Sequence, residues 1–307
     1  MKIGLNGTGL VQKASIDLIQ KDVYQAHQEG FASYWLAEHP SGGFDALTVL
    51  AVVAQSVKNI ELGTAIIPTF PRHPMVLAGQ ALTTQSATGD RFTLGIGLSH
   101  QVMMAQLGIS FDKPIRHLRE YLSILMPLLE TGKVSFKGDT LSCDAQLFQT
   151  PDKRPCVVVA ALGPQALRVA GARTDGTTLA WVGSKTIKDH IVPTIDAAAS
   201  KAGRSQQPRI IATLPVCVSD QPDKVKFRIS ETMALYAQLP SYKAMFEREG
   251  VNQPGDVALV GSKSQLEDQL GGLELAGVTD FAASIFSTSK DEHLATREFL
   301  TDYIKKK

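Results

Sequence analysis

The chain has 307 residues, 44% of them hydrophobic, which is ample for a large core and ordinary for one (β/α)8 barrel with insertions. Its 31 basic and 30 acidic residues leave a net charge of +1, so no excess charge points to nucleic acid or to an anionic membrane surface. Three scattered cysteines (Cys143, Cys156 and Cys217) support neither a disulfide framework nor a zinc ribbon, and no metal site is expected.

The N-terminal run Met1 to Gly7 is too short and too glycine-rich for a secretory segment, and no apolar stretch reaches bilayer length. A cytoplasmic protein without a membrane partner is expected.

Apolar runs alternate with helical periodicity along the chain. Strand one covers Lys2 to Asn6, and a helix over Ser15–Glu29 carries Ile16, Ile19, Val23 and Ala26 on one stripe until Gly30 stops it. Strand two reaches His39, and Pro40 to Gly43 is a turn. Asp45 caps a helix over Ala46–Val57. Strand three, Ile60 to Ile67, is stopped by Pro68 and Pro71, and Pro74 opens a helix to Thr88. Strand four is Phe92 to Leu98, finishing at Ser99-His100.

A first excursion follows, with a helix over Pro114–Thr131 and a hairpin turning at Lys137 to Asp139. Strand five is Cys156 to Leu162, with a helix from Pro164. Strand six is Gly176 to Trp181, with a helix over Lys185–Ala202. Strand seven is Arg209 to Val218. A second excursion, Ser219 to Gly277, precedes strand eight, Asp280 to Phe286, and the last helix.

Eight strands with intervening helices and no linker predict one domain over residues 1–307: an α/β fold, a (β/α)8 TIM barrel with insertions after strands four and seven. In such a barrel the strand tips converge on one mouth, where chemistry happens. Glu38 and His39, closing strand two, are therefore the first catalytic candidates. Gly4-x-x-Gly7-x-Gly9 imitates a dinucleotide fingerprint, but Gln12 stands where a small residue is needed and the predicted helix starts too late. An NAD-dependent Rossmann dehydrogenase stays as an alternative.

Four segments carry a family resemblance: Trp35-Leu36-Ala37-Glu38-His39; Gly63 to Pro68 with Pro71-Arg72-His73-Pro74; Arg91 to Gly97; and Ala160 to Pro164 running on to Ala170 to Gly176. With them the chain resembles the bacterial luciferase-like superfamily, most closely its coenzyme F420-dependent oxidoreductases. The resemblance implies a deazaflavin (F420) or flavin (FMN) ring in the mouth and a small-molecule substrate. It further implies that His39, helped by Glu38, manages a proton, with a neighbouring-loop hydrogen bond as the other reading of His39. A cis peptide at Ala65-Ile66 would back the ring. Ser99 would touch the cofactor, and Ala161, Leu162, Gly163 and Gln165 would receive its phosphate at a helix N-terminus. His100 and Trp181 are substrate-pocket candidates, and a homodimer is implied. An FMN-dependent monooxygenase of the same fold is the close alternative. Arg72 and His73 read as structural.

Overall fold

A computed structural model describes the whole chain except residues 12, 14, 40, 41 and 149–151. Two expected features fall partly there: the first half of the Pro40 to Gly43 turn, and Gln12 of the glycine motif.

Eight strands run parallel around a ring: β1 (Lys2–Asn6), β2 (Ser33–Leu36), β3 (Glu61–Thr64), β4 (Phe92–Gly97), β5 (Cys156–Ala160), β6 (Gly176–Ala180), β7 (Arg209–Thr213) and β8 (Asp280–Ile285). Pairing of Lys2 with Asp280 and of Ile3 with Phe281 closes it. The closed ring excludes the Rossmann alternative. Its glycine motif instead ends β1: a Cβ on Gly7 would lie 1.9 Å from the Tyr34 hydroxyl, and Asn6 Oδ1 accepts from Thr8 N (3.0 Å) to start an unexpected one-turn helix, Thr8–Val11.

Helices cover the outside. They include α1 (Ile16–Gln28), α2 (Ala46–Val53), α3 (Pro74–Ala87), α4 (Pro114–Thr131), α5 (Pro164–Arg173), α6 (Val192–Lys201), α7 (Lys263–Leu275) and α8 (Lys290–Lys306). α1 is capped by Ser15 and buries Ile19, Val23 and Ala26. α4 starts at Pro114 and ends at left-handed Gly132, as its punctuation predicts. No helix among the described residues is long and apolar enough to cross a membrane.

The two excursions stand where expected, with local differences. The hairpin arms are Lys133–Lys137 and Ser142–Gln146, so its turn lies later than predicted. The cause is Glu120 of α4, whose carboxylate accepts from Asp139 N, Thr140 N and Leu141 N at 2.7–3.0 Å and pins the turn. The expected seventh strand is two pieces. After Leu214, Pro215–Val218 still pairs with β8 but takes Leu259–Gly261 of the second excursion on its other side. Strand two stops at Leu36, because Ala37 N turns to Thr8 Oγ1 (3.0 Å).

Inside the ring, alternate residues of each strand point to the axis. At the N-terminal base, Arg209 bridges Glu61 (2.8 Å) and Asp280 (2.7 Å). Above it the indole of Trp35 fills the centre with Val158, Ile211 and Ala282, and donates to Ser33 Oγ (2.8 Å). Gly63 makes room for it, since a Cβ there would sit 2.2 Å from the ring.

Candidate active site

Above Trp35, the next inward positions are Asn6, Ala65, Gly97, Ala160, Ala180, Thr213 and Ser284. All are small or short, and all except Gly97 are half-buried although they lie in or beside barrel strands. Such an interior layer keeps side-chain bulk low at the C-terminal end of the ring, above the indole. Thr213 Oγ1 is buried there without a hydrogen-bond partner. Buried hydroxyls normally have one, and this atom is an exception.

Glu38 and His39 follow the tip of β2. Glu38 N donates to Ile66 O (3.0 Å), and Ala65 N to Leu36 O (2.8 Å), which locks this tip to the segment after β3. The Ala65-Ile66 peptide is cis. Beyond it, Ile67–Pro68 pairs with the end of β4.

The expectation that Glu38 serves His39 is not met. The Glu38 carboxylate faces Arg72 at 3.2 Å, and Arg72 also binds Asp45 (2.9 Å). Burial raises the Glu38 pKa, with Asp45 adding to it against Arg72. Helix-cap bonds from Thr48, with Arg72, hold Asp45 below the usual range despite its own burial. Arg72 lies closer to Asp45, so the two shifts agree. His39 is half-buried, and burial lowers its pKa, leaving a neutral imidazole at pH 7.

Arg72 therefore belongs to the rim and is not merely a link. Its carbonyl accepts from Tyr121 Oη of α4 (2.9 Å). His73 does read as expected: its Nδ1 caps α3 by accepting from Met75 N (3.2 Å).

At the tips of β4 and β6, Ser99 and Trp181 both adopt left-handed backbone (φ 62° each). Such conformations in non-glycine residues cluster where function demands a particular placement. Ser99 Oγ reaches Met103 Sδ (3.6 Å). Trp181 is largely buried and packs on Tyr236 (5.7 Å between ring centroids), while His100 meets Tyr242 at 5.6 Å and Tyr236 at 6.4 Å. The two predicted pocket residues thus share one aromatic cluster. Its other half went unread in the sequence, because no periodicity distinguishes two tyrosines within a long excursion.

Across the rim, Ala161 is buried, Leu162 half-buried, and Gly163 and Gln165 are exposed at the start of α5. No side chain caps this helix, so its first amides face outward with the positive end of the dipole. His190, also unpredicted, lies at 2.9 Å from Leu162 O and must donate to it. It reaches that carbonyl from a π-helical turn, Ile187–Ile191, that leads into α6. All these loops lie at the same end of a parallel barrel. Among the described residues no cluster of three or more potential metal ligands forms.

The profile of the luciferase-like monooxygenase family matches residues 4–283. The chain is 25% identical to a 5,10-methylenetetrahydromethanopterin reductase of Methanolobus tindarius, over 90% of this chain and 84% of that one. It is 26% identical to an F420-dependent glucose-6-phosphate dehydrogenase of Microbacterium testaceum, over 88% and 79%. Its fold is that of an F420-dependent secondary alcohol dehydrogenase solved with an F420-acetone adduct, at TM-score 0.80, 18% identity and 97% coverage of both chains. A family profile spanning nearly the whole barrel, with a mouth built as described, makes this chain an oxidoreductase belonging to the luciferase-like monooxygenase family.

Proposed function

We propose that the protein is an F420-dependent oxidoreductase acting on a small organic substrate, with the cofactor ring in the barrel mouth. The observation that carries this reading is a half-buried His39 after the tip of β2, at the same end of the barrel as a layer of short inward side chains and the uncapped start of α5. A floor of short side chains suits a flat ring and outward amides suit a phosphate, so the residues present are of the kinds this group needs. When bound, the deazaflavin supplies or accepts a hydride, two electrons at a time.

In this reading the chain's own groups do the rest. Ala65 and Ile66 back the ring, Ser99 meets its polar edge, and Ala161, Leu162, Gly163 and Gln165 hold the phosphate. A ring nitrogen of His39 takes the substrate's hydroxyl proton as the hydride leaves carbon, or returns it in the reverse direction. Neutral imidazole is the form able to accept that proton. Glu38, held by Arg72, shapes the loop that carries His39. The whole chain acts as one barrel domain; its scattered cysteines suit the cytoplasm, and the family resemblance suggests a homodimer.

Two measurements test this. Titration with F420 and with FMN should give tighter binding of F420. Tight FMN binding with substrate-dependent oxygen uptake would instead establish the monooxygenase alternative. His39→Ala should keep cofactor affinity within a few-fold and lower turnover by roughly 10²-fold or more. Unchanged turnover removes His39 from the mechanism.

A further inference from the structure

We propose that His190 is a positioning residue for the cofactor's phosphate, an inference that rests on the oxidoreductase reading above. By gripping the carbonyl of Leu162, it sets the direction of the Gly163 amide beside the start of α5.

The turn before α5 has one amide fewer than a helix start usually offers. Bonding within the helix begins with Leu167 N donating to Gly163 O (3.0 Å), so the amides ahead of it are outside the ladder. Pro164, at the first helical position, has no N–H to give. A phosphate here is left with the amides of Gly163, Gln165 and Ala166. The last two are aimed by the helix that contains them. Gly163 stands outside it in extended backbone (φ −78°, ψ 154°), so its amide points wherever the Leu162-Gly163 peptide is held.

His190 holds that peptide. Its Nε2 donates to Leu162 O at 2.9 Å. In a planar trans peptide the carbonyl and the following N–H point in opposite directions. Fixing the Leu162 carbonyl on the imidazole therefore turns Gly163 N–H away from it. Gly163, Pro164 and Gln165 are exposed, so the turn is open to a ligand, whereas His190 is half-buried behind it.

The imidazole is itself braced. Pro193 cannot donate to Asp189 O, and the chain answers with the π-helical turn Ile187–Ile191, in which Val192 N reaches back to Ile187 O. At the start of this segment, Glu249 of the helix Pro240–Glu249 accepts from Thr186 N (2.7 Å) and Lys185 N (3.2 Å). A Cβ on Gly183 would lie 2.2 Å from the Glu249 carboxyl carbon, so glycine there lets the carboxylate come in. The second excursion thus fixes the loop after β6, and that loop fixes the turn after β5.

The test compares F420 with the corresponding deazaflavin alcohol, which has the same ring and ribityl chain but no phosphate, each titrated against the full chain. His190→Ala should weaken F420 binding roughly ten-fold, the worth of one amide bond to a charged group, and leave the Kd of the alcohol unchanged. His190→Gln, whose side-chain amide can donate to the same carbonyl, should recover most of the loss. Equal weakening of both ligands, as a scaffold residue or a misfolded variant would give, overturns the proposal. An F420 Kd that does not move overturns it too, and either result leaves the oxidoreductase reading standing. Should the wild type take FMN in place of F420, riboflavin is the phosphate-free partner and the same outcomes decide. A wild-type chain that binds neither cofactor defeats the oxidoreductase reading and this inference with it.

Discussion

The base of the barrel and its mouth both carry polar groups and treat them differently. At the base, Arg209 sits between Glu61 and Asp280, Arg154 grips Asp175 with two bonds of 2.6 and 2.8 Å, and Arg91 donates to two backbone carbonyls. At the mouth, Ser99 and Trp181 take left-handed backbone, His39 and His100 are neutral through burial, and Thr213 Oγ1 waits without a partner. A barrel of this kind spends one end on stability and leaves the other incomplete, to be completed by ligands.

The largest expected effect breaks the base. Arg209→Leu strands Glu61 and the 4%-exposed Asp280 side chain, and should cost about 3 kcal/mol, the lower end for a broken buried ion pair because Arg209 is 23% exposed. Denaturant midpoints check it. Arg72→Leu at the mouth should cost less, because Glu38, already raised in pKa, can take up a proton in place of its partner. Equal losses at the two ends would remove the contrast.

Acid should strike the mouth side next. His117 of α4 is 6% exposed, stacks on Phe70 (3.9 Å, 9°) and bonds Thr69 Oγ1 (3.2 Å) in the loop beyond β3. Burial lowers its pKa from 6.5 to about 4. Between those values the unfolded chain holds a proton that the folded one does not, so stability is complete above about 6.5 and falls as pH drops toward 4. One such group contributes at most about 3 kcal/mol over the window. In His117→Phe, which keeps the stack, the pH slope of stability over this window should shrink by one proton. An unaltered slope places the titration elsewhere.

How much of this was readable beforehand follows from where each signal lies. α4 was readable to the residue because Pro114, Gly132 and an apolar stripe are all local. His39 was readable as a strand tip. The break of strand seven at Leu214 was not, since both pieces are apolar and both pair with β8. The role of Arg72 was hidden because its partners Glu38 and Asp45 lie 34 and 27 residues away. Tyr236 was hidden because its short helix buries nothing, so no amphipathic pattern betrays it.

The smallest expected effect sharpens the comparison most. Tyr121 is fully buried and spends its hydroxyl on the carbonyl of Arg72, so α4 holds the residue that holds Glu38. Tyr121→Phe should cost about 1 kcal/mol, the net worth of one neutral hydrogen bond. If that were its whole effect, activity would keep its pH profile. Arg72 opposes the upward shift of Glu38, so a loosened guanidinium lets the carboxyl titrate still higher. The acidic limb of kcat/KM should therefore move to higher pH in Tyr121→Phe, with KM for the cofactor unchanged. A profile that does not move would assign Tyr121 to the scaffold and return the boundary between base and mouth to the level of Arg72 itself.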